Sequence, residues 1–138
     1  MHRWVEHTAE QELHVEAASP EEVFTEAAEA LASLLGEPGP GPAVRREIEL
    51  SAPDRPALLA EWLNELVYLA DGGFLPERVL ALELPPASGE NEDRSHRLTA
   101  TVEGREGTPR SLVKAVTYHR LRFEPEGVRW YGRVVLDV

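Results

Sequence analysis

The stretch SPEEVFTEAAEALASLLGE, residues 19–37, constrains the chain most. Ser19 is an N-cap residue, Pro20 suits the first helical position, and Glu22 stands where a capping box places its acid. Val23, Phe24, Ala27, Ala28, Leu31, Leu34 and Leu35 recur at helical spacing, and Gly36 supplies a stop. A helix with so wide an apolar stripe needs a partner layer. A second helix follows Asp54 as RPALLAEWLNELVYLADGG, with Leu58, Leu59, Trp62, Leu63, Leu66 and Val67 on one face and Asp71-Gly72-Gly73 at its end.

Everything else alternates with the period of strands. Arg3 to Thr8 and Glu12 to Ala17 read as an N-terminal hairpin, with Thr8 available to bond the turn backbone. Arg45–Leu50, Arg78–Leu84 and His96–Glu103 alternate, and Ala115–Phe123 and Val128–Asp137 form a closing pair. GEPGPGPA (36–43) reads as a stiff surface loop, and PPASGENEDRS (85–95) as an acidic loop or hairpin. The expectation is an α+β fold: a single two-layer domain over residues 1–138, two helices packed on about seven mostly antiparallel strands.

The absence of cysteine excludes a disulfide framework, a thiolate nucleophile and cysteine-ligated zinc, and fits a reducing cytoplasm. The opening MHRWVEHTAE has no apolar core of a secretory signal, and no run approaches the roughly 18 apolar residues of a membrane span. The net charge of −11 opposes phosphate backbones and anionic membranes, so neither direct nucleic-acid binding nor membrane association is expected.

Three places carry candidate chemistry. In EHTAEQEL (6–13), His7 and Glu10 sit at a strand junction, where they could bind metal, move a proton, or simply form a polar turn. In VKAVTYHRL (113–121), Lys114 and Tyr118 share the parity of Val116 while His119 points the other way. That set suits acid–base chemistry or one wet face of a sheet. In GRVVLDV (132–138), Gly132, Val134 and Leu136 alternate with Arg133, Val135 and Asp137, and strand patterning runs into Asp137 and the Val138 carboxylate. Two adjacent anions at a packed strand end call for a cation or a basic side chain, or else for solvent. Hard divalent cations take such oxygens, and Glu10 is a candidate third donor. His2, His14 and His96 read as surface residues, and GREGTPR (104–110) is a weak phosphate-loop signal.

Taken together, these pieces resemble the archease family over nearly the whole chain. The family's HTAD-like turn stands here as EHTAEQEL, its LEELFENAA-like helix as PEEVFTEAAEAL, its LLxxWLNELLYL helix as LLAEWLNELVYLAD, its VKAVTYH stretch as Val113–His119, and its terminal DV or DI as Asp137-Val138. The resemblance implies a small acidic protein cofactor, not an enzyme. Such a protein activates an RNA 3′-phosphate ligase in tRNA splicing or RNA repair, promoting the ligase's guanylylation and multiple turnover. It also implies a divalent metal site, calcium-like, held by Glu10, Asp137 and the Val138 carboxylate. His7 and Lys114 are expected near the surface that meets the ligase. The chain departs from the family where Glu10 replaces aspartate and Gln11-Glu12-Leu13 replaces an Ile-Gly-Ile-like run. Two other functions suit the residues: a small metal-dependent hydrolase using Glu10, Asp137 and His119, and a metal-free chaperone-like binding module.

Overall fold

The computed structural model describes residues 1–86, 96–110 and 113–138. The element order is β1 (His2–Glu6), β2 (Glu10–Ala17), α1 (Pro20–Leu35), β3 (Gly36–Pro38), β4 (Val44–Ala52), α2 (Arg55–Asp71), β5 (Phe74–Glu83), β6 (His96–Pro109), β7 (Ala115–Glu126) and β8 (Arg129–Asp137). Both helix starts are capped: Ser19 Oγ accepts from Glu22 N–H at 3.2 Å, and Asp54 Oδ1 accepts from Ala57 N–H at 2.7 Å. Glu22 reaches past the capping-box position, accepting from Ala18 N–H one residue before the cap at 3.2 Å.

The strands form two antiparallel sheets. One runs β1-β2-β8-β7, so the last strand lies at its centre between the N-terminal hairpin and β7. The other is centred on β6, with β4 and β3 along one edge and β5 along the other. The short β3 is the strand that the sequence reading missed. The first three residues of GEPGPGPA pair with the end of β6, and Gly39 N–H adds a bond to the Glu106 carbonyl at 2.9 Å. The acidic segment 87–95, expected as a loop, lies outside the described residues.

Both helices touch both sheets: α1 meets β2, β8 and β5, and α2 meets β7, β4, β5 and β6. This explains why α2 buries a wide face, extending the predicted stripe by one turn to Ala70 and sideways to Ala60. One hydrophobic cluster joins Leu13, Val15, Val134 and Leu136 of the first sheet, Leu98 and Val102 of the second, and the helices between. Trp62 Nε1–H donates to the Phe24 carbonyl at 2.9 Å, which satisfies a fully buried indole and fixes α2 on α1. The glycines of GREGTPR serve packing. They lie on β6, and a Cβ built at Gly104 would come 2.3 Å from the Leu75 carbonyl oxygen.

Candidate functional site

The site lies on the outer face of the first sheet, at the end where β2 starts and β8 finishes. Strand alternation sends Leu13, Val15 and Ala17 of β2 into the core. Glu10, Glu12, His14 and Glu16 therefore share the opposite face. Glu10 is the cross-strand partner of Asp137, and Asp137 is also paired with Ala115 of β7. Directly opposed residues place their side chains on the same face, so Glu10 and Asp137 are brought together. The turn before β2 is closed by His7 N–H on the Glu10 carbonyl at 2.8 Å rather than by the Thr8 side chain. Val138 N–H donates to the Ala9 carbonyl at 3.2 Å, and Lys114 N–H to the Asp137 carbonyl at 2.8 Å. Asp137-Val138 is thus bonded on both flanks, with the exposed Lys114 beside it.

Next to this pair lies a carboxylate that the sequence reading did not single out. Glu12 is 7% exposed, a buried charged residue. Its Oε2 is 2.5 Å from His7 Nε2 and 3.3 Å from Arg120 Nη2, and its Oε1 is 3.5 Å from His14 Nε2. The His7 hydrogen bond, seconded by the Arg120 charge, holds the Glu12 carboxyl below the usual carboxylate range despite burial. His14 is not a surface residue as expected. Its side chain is half-buried, and its Nδ1 lies 2.7 Å from the Tyr131 hydroxyl. Burial, with the nearby Arg3 charge, lowers its pKa below the ordinary histidine value.

Arg120 reaches this cluster through a break in β7. Thr117 pairs with Val135, but the next paired residue, Arg122, meets Arg133, so four residues of β7, 118–121, stand opposite Val134 alone. The bulge interrupts the strict alternation expected at Tyr118 and His119, while Lys114 lies before it. Within it Arg120 adopts φ +53°, the left-handed region, and its carbonyl accepts from Arg133 Nε–H at 2.8 Å. From there Arg120 Nη2 comes within 3.0 Å of Glu10 Oε2. His119 is exposed, and among the described residues it forms no metal-holding cluster with Glu10 and Asp137, so a hydrolase built on those three side chains lacks geometric support.

The oxygens of Glu10 and Asp137, with the Val138 carboxylate, are of the kind a hard divalent cation takes, and the strand register sets Glu10 opposite Asp137. The donor set therefore fits such an ion in kind, with one Glu10 oxygen already paired to Arg120. Among the described residues, no cluster of three or more histidine, cysteine, aspartate or glutamate side chains is disposed to hold a metal, so any site here needs the main-chain carboxylate.

Two helices against two antiparallel sheets, with an acid of the N-terminal turn registered on the penultimate aspartate, define a small α+β protein of distinctive topology. The model of the "Archease protein family (MTH1598/TM1083)" matches residues 2–138, and the chain belongs to that family. The protein archease of Methanosarcina mazei is 30% identical, with 99% of this chain and 95% of that one covered. The protein archease of Pyrobaculum neutrophilum is likewise 30% identical, over the same shares. The solution structure of Methanobacterium thermoautotrophicum protein 1598 is 27% identical, has a TM-score of 0.77 and covers 99% of this chain and 98% of that one. The crystal structure from Thermotoga maritima described as "an archease, possible chaperone" has a TM-score of 0.64 at 22% identity, covers 100% and 98%, and bears on the fold alone. Among the described residues, no helix is long and apolar enough to cross a membrane.

Proposed function

We propose that this protein is a non-catalytic cytoplasmic cofactor of an RNA 3′-phosphate ligase of the tRNA-splicing type, promoting the ligase's guanylylation and repeated turnover. It would carry a divalent cation, calcium as the family resemblance implies, on the hard oxygen donors of Glu10, Asp137 and the Val138 carboxylate. Membership of the archease family supports the class of function. The observation that carries the site is the Glu10–Asp137 register, with Val138 N–H bonded across to Ala9.

A bound cation would neutralise adjacent carboxylates and offer open positions to oxygen ligands of a partner. The chain's own residues do the rest. The β2–β8–β7 pairing orients Asp137, and the His7–Glu10 turn fixes the acid opposite it. Lys114 presents a positive charge at the rim. The net charge of −11 favours docking on a basic nucleic-acid enzyme over contact with RNA itself.

The test is ligation of RNA 3′-phosphate and 5′-hydroxyl ends by the ligase of the same organism, limiting in amount, with and without this protein. Turnover beyond one equivalent only when the protein is present is the expected result. Identical progress curves with and without it would refute the reading.

A further inference from the structure

The Glu10 carboxylate already has a cation. Arg120 Nη2 lies 3.0 Å from Glu10 Oε2 and 3.3 Å from Glu12 Oε2, so one guanidinium bridges two acids on one sheet face. Its placement is built into the backbone: a bulge, a left-handed residue and an Arg133 hydrogen bond to its carbonyl put its side chain there. The pair remains accessible, with Arg120 and Glu10 side chains 39% and 38% exposed. An ion pair so exposed to water is weak and easily exchanged. Glu12, by contrast, is buried and anchored by His7, and it gives Arg120 a second acceptor when the first is taken away.

We infer that Arg120 is a resident counter-ion which a divalent cation must displace from Glu10, so that metal binding is an exchange that moves the guanidinium onto Glu12. The inference rests on the metal reading given above. By linkage, a side chain that competes for a ligand oxygen weakens the ion's affinity, and the bound ion loosens that side chain equally. Arg120 thereby sets the threshold of cation concentration at which the site fills.

The test is calorimetric titration of calcium chloride into the full chain at low ionic strength. The proteins are the native sequence, Arg120→Gly, Arg120→Met and Glu10→Ala. Glycine accepts the left-handed backbone without strain, and methionine keeps an unbranched side chain without its charge, so the pair controls for folding. Both Arg120 variants should bind calcium about two- to fivefold more tightly than the native chain, the range expected for losing a competing exposed ion pair. Glu10→Ala should bind it much more weakly. The ¹⁵Nε resonance of Arg120 should shift as calcium is added to the native protein. Unchanged or weaker calcium affinity in both Arg120 variants would overturn the exchange while leaving a Glu10-dependent metal site in place. Absence of calcium binding in all four proteins would overturn the metal reading and the exchange together.

Discussion

Asn64 of α2 and Val116 of β7 are joined twice: Asn64 Nδ2–H donates to the Val116 carbonyl at 3.0 Å, and Val116 N–H donates to Asn64 Oδ1 at 2.9 Å. One carboxamide thus takes the place of a neighbouring strand for the edge residue that lies two positions from Lys114. The pair ties the helix reading LLAEWLNELVYLAD to the strand that flanks Asp137. Asn64→Ala leaves two part-buried backbone groups unpaired and should cost about 1–3 kcal/mol. Chemical denaturation measures this, and a loss below about 0.5 kcal/mol would show that water replaces the carboxamide freely.

Extending the chain beyond Val138 turns its carboxylate into a neutral amide. Calcium should raise the melting temperature of the unextended protein by mass action, and should leave a C-terminally tagged one unmoved. An N-terminal tag should preserve the response. Equal calcium shifts in both tagged proteins would remove Val138 from the ligand set.

Glu10→Ala should abolish ligase activation while leaving the fold intact, because the residue sits at a half-exposed strand end outside the core. Glu10→Asp should retain or improve activation, as it restores the acid of the family pattern. Circular dichroism and the ligation assay together separate loss of fold from loss of function.

Tyr118, exposed on the bulge, hydrogen-bonds Glu61 of α2 through its hydroxyl. That bond, with burial and the Glu61 charge behind it, pushes its pKa up to about 12. A raised pKa means the contact stabilises the fold fully below about pH 10, the ordinary tyrosine value, and loses its contribution as pH rises from there through about 12. Tyrosinate absorbance should therefore show one late-titrating group, which Tyr118→Phe removes. Retention of that late phase in the variant would assign it elsewhere.

The isolated protein should bind tRNA negligibly at physiological salt, since no counterion release rewards an acidic surface. Salt-sensitive retention of RNA on a filter by the protein alone would contradict this.

The helices were legible because their signals are local: a capping serine, a proline at the first turn, a repeating apolar stripe. The pairing of Glu10 with Asp137 was legible only as adjacency of chemistry, since strand order depends on contacts more than a hundred residues apart in sequence. Glu12 and His14 carried a usable signal, for they share the parity of Glu10 on one strand. Their partners did not: His14 meets Tyr131 from another strand, and Glu12 meets Arg120, whose parity is lost in a bulge that no alternation rule anticipates. The short β3 was hidden by its composition, where glycine and proline outweigh a pairing supplied entirely by β6.

The central position of β8 has a kinetic meaning. Strand β2 pairs with β1 almost as soon as it is made, yet its other edge stays open until residues 130–137 arrive. Until then β2 and β7 are both unpaired edges facing a gap one strand wide, and Leu13 and Val15 have no Val134 beside them. Closing that gap joins the two ends of the chain across a very long loop, the kind of contact that slows folding most. The register that aligns Glu10 with Asp137 is therefore laid down when the sheet closes, so the candidate site comes into being together with the finished fold.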